Sequence, residues 1–302
     1  MADYTTDNDE SDYPNYGDSN LDLKAHENTA KTFFELGSSQ RLAIMFKVAA
    51  GGNCNLALLA RELNSTMPEV RRNIVRLTQI GLIQKNVEGG FILTTFGKII
   101  LQQIPTIDFL SQNKVYFKDH SLSVTPTKFL KRLGSLNGSR HISGLVSTLE
   151  KWKEIYSQSQ KYVYTMVPEV PIELIESITS KLRAVADNTE FEFNYILPQN
   201  AVVPKKRKQL LKEASFVELL REGRVKRKMV DKLIVGLVLN EKQACVAFPR
   251  AGRDNDDDHL EPDIYSIFYS DDNTDFHEWC LDYFRYNWLN AKSFDEAKLV
   301  EV

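Results

Sequence analysis

Residues 55–94 hold the pattern that most limits how this chain can fold. Residues 55–63 (NLALLAREL) and 68–81 (PEVRRNIVRLTQIG) each repeat apolar side chains at helical spacing, with only a few polar residues between them. Residues 82–94 (LIQKNVEGGFILT) predict two strands around a Gly-Gly turn. Residues 96–103 would close the unit as a further helix. Helices followed by a strand pair in this order predict a winged helix-turn-helix.

The second of these helices has defined ends and one apolar face. Thr66 is placed to cap its first turn, because a threonine hydroxyl accepts hydrogen bonds from unpaired backbone N–H groups there. Val70, Ile74 and Leu77 recur at helical spacing, which predicts a buried stripe. Gly81 stands where helices commonly end in a left-handed residue. The face opposite the stripe is therefore expected to meet solvent or a partner.

That opposite face carries residue types that bind DNA. The second helix of a helix-turn-helix enters the major groove with its N-terminal end first. Arginine and asparagine hydrogen-bond to guanine and adenine edges, and a helix N-terminus attracts phosphate. Glu69 has two interpretations, a contact with the cytosine amino group or an electrostatic cap of its own helix. The predicted DNA-binding residues are Thr66, Met67, Glu69, Arg71, Arg72, Asn73, Arg76 and, on the hairpin, Lys85.

The distribution of charge agrees with this interpretation. Residues 39–104 contain eight lysines and arginines against three glutamates, a local charge of +5 in a chain whose net charge is -3. A basic region of this kind is typical of a DNA-facing module. The hairpin offers Lys85 but also Glu88, which predicts few phosphate contacts and affinity that depends on dimerisation. The alternative is a winged helix that binds a protein of the transcription machinery and does not read DNA.

Residues 66–83 (TMPEVRRNIVRLTQIGLI) resemble the recognition helix of ArsR-type winged-helix regulators. Over residues 30–292 the chain is similar to archaeal winged-helix regulators of the methanogenesis/filament-regulator type. Residues 115–136 and 276–288 carry that second resemblance. It implies a cytoplasmic, dimeric regulator that binds double-stranded DNA and responds to an unidentified small-molecule effector. The resemblance implies no metal site, because Cys54 has no second cysteine near it in the helix-turn-helix.

The 302 residues predict two domains of α/β or α+β class. The predicted order is an N-terminal winged helix-turn-helix followed by an α/β domain for ligand sensing and dimerisation. In that second domain, helices (146–158, 172–186, 204–214 and 275–292) are interspersed with strands (162–167, 191–197, 225–230, 232–240, 244–248 and 264–270). The predicted boundaries are 1–28 for a disordered acidic tail, 29–108, 109–295, and 296–302 for a C-terminal tail.

Four other features have a functional and a structural interpretation. The basic run 205–208 is a second DNA contact, an anionic-ligand site or a solvated helix start. His277 and Cys280 lie one helical turn apart and are better explained by a packed aromatic helix than by metal binding. A concave ligand site is expected at the ends of strands 162–167, 191–197 and 234–239, with its residues unknown. The acidic cluster is predicted as a solvated loop rather than a calcium or magnesium site; its members are Asp254, Asp256, Asp257, Asp258, Glu261 and Asp263.

Several classes of protein are not expected. The three cysteines are far apart, which argues against a disulfide framework or structural zinc. No apolar run is long enough to span a bilayer, so no membrane partner and a cytoplasmic location are predicted. GxGxxG, Walker A, GxSxG and His-x-Lys motifs are all missing from the sequence. The prediction is a protein that is not an enzyme and uses no cofactor, with a hydrolase built on the C-terminal domain as the weakest alternative.

Overall fold

The computed structural model describes residues 24–51, 54–185, 190–213, 216–251 and 260–302. The chain divides into two compact units, the first ending at Ile104 and the second beginning at Pro105. The first twenty-three residues of the predicted acidic tail lie outside the described residues. No helix in the described ranges is both long enough and apolar enough to cross a bilayer.

The N-terminal unit consists of helices and one short antiparallel hairpin. Its elements are α1 (Glu27–Leu36), α2 (Ser39–Ala49), α3 (Leu56–Glu62), α4 (Met67–Gln79), β1 (Ile83–Lys85), β2 (Phe91–Leu93) and α5 (Thr95–Leu101). Strands β1 and β2 pair with Ile83 opposite Leu93 and Lys85 opposite Phe91. The two helices, the hairpin and the closing helix predicted for residues 55–103 are therefore present in this order. Helix α1 begins two residues before residue 29, where the domain was predicted to start.

Two left-handed residues end helices α3 and α4. Asn64 has φ 46° and Gly81 has φ 76°. After each, the next N–H turns back to the helix: Ser65 N donates to Ala60 O at 3.0 Å, and Leu82 N donates to Leu77 O at 2.9 Å. This is the Schellman arrangement, which satisfies carbonyl groups left unpaired at a helix end. The predicted role of Gly81 is confirmed, and Asn64 performs the same role in the turn between the two helices.

The core of this unit forms where α4 packs on α2 and the hairpin. Val70 and Leu77 of α4 are fully buried, as is Met45 of α2, so the predicted apolar stripe is confirmed. Helix α5 closes the unit by lying on the backbone that leaves α4. At Gly97 the approach is so close that a Cβ would stand 2.0 Å from the carbonyl oxygen of Leu82.

The C-terminal unit is built on a mixed eight-stranded sheet. Its helices are α6 (Ile104–Gln112, which begins at the boundary), α7 (Thr127–Leu130), α8 (Leu145–Gln158), α9 (Ile172–Ala184), α10 (Arg207–Glu213), α11 (Phe216–Arg221) and α12 (Thr274–Asn290). Its strands are β3 (Arg140–Ser143), β4 (Tyr162–Met166), β5 (Glu192–Pro198), β6 (Val202–Val203), β7 (Val225–Val230), β8 (Gly236–Leu239), β9 (Ala244–Ala247), β10 (Ser266–Ser270), β11 (Lys292–Ser293) and β12 (Val300–Glu301).

The large sheet has the strand order β11-β7-β5-β4-β8-β9-β10-β3. Strands β4, β5 and β7 run parallel to one another, and the remaining pairs in the sheet are antiparallel. Both faces of the sheet are covered. Val163 and Val238 pack with helices α8–α11 on one face, and Met166 and Leu237 pack with α7 and α12 on the other. Because both faces are buried, the central strands are almost continuously apolar in sequence.

The predicted mixed α/β class of this unit is confirmed, but several bounds differ. Helix α10 begins at Arg207 rather than at Pro204, and β8 begins at Gly236 rather than at Lys232. The last residues, predicted as a tail, include β12, which pairs in parallel with β6. Two-residue strands and helices of four or six residues are too short for hydrophobic periodicity to reveal.

We expect Gly97→Ala to destabilise the protein by about 1–3 kcal/mol, because the new methyl group cannot fit against the Leu82 carbonyl. Without the clash the substitution would instead stabilise the protein, since alanine is a better helix former than glycine. Urea unfolding followed by circular dichroism measures the difference, with exposed Lys98→Ala on the same helix as control. Gly97→Ala at or above wild-type stability would contradict the close approach.

Candidate functional site

The N-terminal end of α4 is held by a capping box. The Thr66 hydroxyl accepts from Glu69 N, and the Glu69 carboxylate accepts from Thr66 N at 3.1 Å and from Ser65 Oγ at 2.9 Å. These hydrogen bonds, the backbone one first, lower the pKa of Glu69. Of the two interpretations of Glu69, the geometry places its carboxylate in the cap. Thr66 and Glu69 thus set where α4 begins.

Asn73 joins α4 to α2 through side-chain hydrogen bonds. Its Nδ2 donates to Gln40 Oε1 at 2.6 Å, and Gln40 Nε2 donates to Ser65 Oγ at 2.6 Å. Since Ser65 also donates to Glu69, the chain of hydrogen bonds runs from Asn73 back to the cap. The Asn73 amide is therefore engaged inside the unit, whereas the sequence placed it among the residues that contact DNA.

Arg76 is bound to a carboxylate of α1. Its Nε and Nη2 donate to the two carboxylate oxygens of Glu35 at 2.8 and 2.7 Å, a bidentate pair. Arg41 Nε lies 3.1 Å from the same carboxylate, whose side chain is only 12% exposed. The hydrogen bond from Arg76 is the main cause that lowers the pKa of Glu35. The guanidinium carbon of Arg76 also lies 5.4 Å from the ring centre of Phe34.

Arg71 and Arg72 are placed differently from the other predicted residues. Both side chains are exposed on α4, and within the described residues neither forms an ion pair. Met67 is exposed one turn before Arg71. Lys85 is exposed on β1. The groove between α4 and the hairpin is lined on both sides by side chains that include Met67, Arg71, Val75, Gln84 and Lys85.

Acidic partners reduce the local charge counted from the sequence. Arg41 and Arg76 share Glu35, which lies just before the residues 39–104 that gave +5. Lys47 pairs with Glu62 at 2.9 Å. The positive charge that remains without an ion pair in the described part of this unit lies on Arg61, Arg71, Arg72, Lys85 and Lys98. The basic surface is therefore narrower than the sequence count implies and is densest on α4.

The fold places the four side chains of the basic run 205–208 in different environments. Lys205 and Lys206 are exposed, while Arg207 is buried and donates to Glu296 Oε1 at 2.9 Å. Lys208 pairs with Glu301 at 2.6 Å. These four residues therefore do not form one cationic surface.

The other sequence features in the C-terminal unit are mostly structural. Cys280 is fully buried, and His277 Nε2 lies 2.6 Å from the carbonyl oxygen of Asn240. The prediction of a packed aromatic helix is confirmed by the burial of Trp279 and Phe284. The four aspartates at 254 and 256–258 lie outside the described residues. Across the described ranges, no three histidine, cysteine or acidic side chains are grouped so as to hold a metal ion.

A buried histidine–aspartate pair was missed by sequence reasoning. His120 Nε2 lies 3.2 Å from Asp263 Oδ2, and its ring stacks on Tyr116 with 3.6 Å between centroids. Nearby, His141 Nε2 lies 2.8 Å from the hydroxyl of Ser266. A serine–histidine contact is one element of nucleophilic catalysis, but Asp263 pairs with His120 rather than with His141. The sequence placed Asp263 in a solvated acidic loop, and for this residue that prediction is wrong, because its side chain is only 8% exposed. His120 lies 143 positions away, so no local signal indicated the pair.

A polar groove lies at the edge of the sheet where β4 and β5 end. Pro168 comes just after β4, Pro198 is the last residue of β5, and Asp231 follows β7. The polar lining also includes Glu169, Asn200, Lys232, Glu261 and Tyr265. This is the edge at which the ends of three strands were expected to form a concave site, and the ligand-binding residues themselves remain a prediction.

Comparisons with known proteins give only distant structural similarities. No protein-family model and no curated protein matches the sequence. TrmBL2, an archaeal chromatin protein described with a novel mode of DNA binding, is 12% identical, with 90% of this chain and 100% of that chain covered and a TM-score of 0.36. NucT from Helicobacter pylori is 10% identical over 52% of this chain and 98% of its own, with a TM-score of 0.34. At these values the similarities assign no function, and the resemblance of residues 66–83 to ArsR-type regulators stays a prediction.

The prediction of a protein that is not an enzyme is wrong on this comparison and is withdrawn. Several O-methyltransferases are among the similar structures, including NcsB1 of neocarzinostatin biosynthesis, which is 11% identical with 70% of this chain and 68% of its own covered. Its TM-score is 0.23. This similarity names no reaction for the present chain.

We expect Arg76→Met to lower the melting temperature by several degrees, because it removes the bidentate partner of Glu35. Arg72→Met removes the same charge from the same helix without breaking an ion pair, so its melting temperature should match that of the wild type. Differential scanning calorimetry of the three proteins measures both values. Equal melting temperatures for Arg76→Met and Arg72→Met would contradict a structural role for Arg76.

The contribution of Glu35 should depend on pH. Its pKa in the folded chain is lowered from 4.5, so its stabilising effect is present above the unfolded value and is lost as pH falls through the folded value. Glu35→Gln should therefore melt below the wild type at about pH 7, and the difference should shrink below about pH 4.5. Thermal denaturation of both proteins, from about pH 7 to below about pH 4.5, measures the difference in melting temperature. A difference that is constant with pH would contradict the charged pair.

Proposed function

We propose that this chain binds double-stranded DNA through α4 and acts as a transcription regulator. The observation that carries the proposal is the position of Arg71 and Arg72. They are exposed and without an ion pair in the described residues, on a helix whose opposite face is buried through Val70, Ile74 and Leu77. Guanidinium groups held out from a rigid helix are suited to phosphate oxygens and to guanine edges.

In this proposal the N-terminal unit is a winged helix-turn-helix. Helix α4 enters the major groove with Met67 and Arg71 in its leading turns, and the hairpin places Lys85 against a neighbouring phosphate. The methyl end of Met67 is suited to an apolar contact with a thymine methyl group. Thr66, Glu69, Asn73 and Arg76 act indirectly by holding α4 to its neighbours, since each already makes a side-chain hydrogen bond within the unit.

The proposal extends to assembly and control. A homodimer would place two α4 helices about one DNA turn apart, so the preferred site would be palindromic. An effector bound by the C-terminal unit would change DNA affinity to the extent that it binds the two states of the protein differently.

A second function has one specific observation in its favour. Met67 is 49% exposed and Val75 is 46% exposed, and both line the groove between α4 and the hairpin. An apolar groove of this kind suits a segment of another protein. The N-terminal unit would then be an interaction module of the transcription machinery with no DNA readout of its own.

The two functions are separated by selecting bound fragments of genomic DNA and sequencing them. The wild type is compared with Arg71→Met/Arg72→Met and with Lys205→Met/Lys206→Met, which loses the same charge from exposed positions of the C-terminal unit. We expect the wild type and the lysine control to enrich one palindromic sequence and the arginine variant to lose it. With that sequence in hand, the slope of log K against log salt should fall by about 2 in the arginine variant, because each phosphate contact contributes about 0.9.

Other results decide against parts of the proposal. Binding that depends on salt but enriches no sequence would remove sequence reading while keeping a DNA contact. Equal loss of binding in the lysine control would locate the contact outside α4. No binding at about 100 mM salt, where counterion competition is still moderate, would overturn DNA binding and favour a protein partner.

A further inference from the structure

We propose that the acidic segment 1–23 of this chain docks in the groove between α4 and the hairpin and competes there with DNA. The inference rests on the proposed function, because it names how the same surface is regulated. Residues 1–23 lie outside the described residues, so the chemistry of the occupant comes from their sequence. The chemistry of the site comes from the side chains that line the groove.

The groove combines positive charge with apolar surface. Among the described residues that line it, the charged ones are Arg71 and Lys85, and both are cationic. Arg72 is exposed beside Arg71, and none of the three forms an ion pair in the described part of the chain. Met67 and Val75 supply apolar surface, with 49% and 46% of it exposed. An occupant that complements both features carries acidic and apolar groups together.

The acidic segment has this composition. It contains no lysine or arginine, and four of its acids fall within residues 7–12. Tyr13 and Tyr16 follow directly, and tyrosine rings pack well against methionine sulfur and aliphatic side chains. The clustered acids thus match the cationic side chains of the groove, and the two rings match its apolar part. The acids of the segment are Asp3, Asp7, Asp9, Glu10, Asp12, Asp18 and Asp22.

The segment is joined to the N-terminal unit within reach of α4. Helix α1 runs about 10 Å from Glu27 to Phe34, and the ring centre of Phe34 lies 5.4 Å from the guanidinium carbon of Arg76. Arg72 lies one turn before Arg76, so the path from the start of α1 to Arg72 is at most about 35 Å. The fourteen residues between Asp12 and Glu27 can span about 45 Å. The clustered acids can therefore reach Arg71 and Arg72 of their own chain.

Because the segment is tethered, a weak contact is enough to regulate DNA binding. A tethered segment acts at an effective concentration of about 1 mM. A contact with a dissociation constant of about 0.1 mM would then occupy the groove about nine-tenths of the time. Arg71 and Arg72 cannot serve the carboxylates and DNA phosphates at once, so the apparent affinity for DNA falls about tenfold.

The DNA affinity of the full chain tests the competition. Asp7→Asn/Asp9→Asn/Glu10→Gln/Asp12→Asn removes four charges from the segment. A control variant removes four exposed charges from the C-terminal unit that form no ion pair in the described residues; its changes are Glu173→Gln, Glu176→Gln, Glu218→Gln and Glu278→Gln.

Both variants change the net charge by the same amount, so a general charge effect would act on both alike. Binding to a short mixed-sequence DNA duplex at about 100 mM salt is measured by fluorescence anisotropy. We expect the segment variant to bind about tenfold more tightly than the wild type, because the groove is no longer occupied. The control should bind within about twofold of the wild type, because screening weakens the effect of distant charges.

Docking is measured separately and without DNA, so its failure can be told from the failure of the proposed function. All three cysteines of the chain are buried, so Asn8→Cys adds one accessible thiol for a nitroxide label among the acids. We expect the label to broaden the backbone amide NMR signals of Met67, Val75 and Lys85. The broadening should be lost in Arg71→Met/Arg72→Met and at about 1 M salt, where the screening length is only about 3 Å.

Three results would overturn the inference while leaving DNA binding intact. Equal DNA affinity of the wild type and the segment variant would remove the competition. Equal tightening in the segment variant and the control would show a general effect of charge. Broadening that persists in Arg71→Met/Arg72→Met would place the segment elsewhere. No DNA binding by any of the proteins would overturn the proposed function and the competition with it, and the label would still decide whether the segment occupies the groove.

Discussion

The arrangement of the N-terminal unit depends on one carboxylate. Glu35 is nearly buried and receives hydrogen bonds from Arg76 of α4, with Arg41 of α2 beside it. Three helices are thereby joined at one point, because each arginine comes from a different helix than the glutamate. The hydrogen bonds from Asn73 to Gln40 add a second polar link between α4 and α2. Together these contacts fix how α4 presents Arg71 and Arg72.

Local signals in the sequence predicted the elements of this unit well. The N-cap at Thr66, the buried stripe through Val70 and Leu77, and the left-handed Gly81 each depend on residues within a few positions. They were predictable because capping and helical periodicity are local effects. The site was predicted less well. Arg76 and Glu35 are 41 positions apart, and no local rule shows that one neutralises the other.

The C-terminal unit shows the same division between local and distant effects. Its central strands are recognisable because both faces are buried and the residues are apolar. The order of those strands, and the pairing of β12 with β6, depend on pairings between residues far apart in sequence, such as Val202 and Val300. In the sequence, the basic run at 205–208 is one feature of uniform charge. A helix start at Arg207 instead turns that side chain inward, while Lys205 and Lys206 stay outside.

Both units place two arginines on one glutamate, and access to water decides how the excess positive charge is stabilised. At Glu35 that charge is partly solvated, because the Arg76 side chain is 42% exposed. At Glu296 the Arg207 side chain is 6% exposed and lies on a cavity wall. There Arg227 is 27% exposed and the glutamate itself is 41% exposed, so the excess charge also has access to water. The same ratio of charges is thus stabilised by partial solvation in both units.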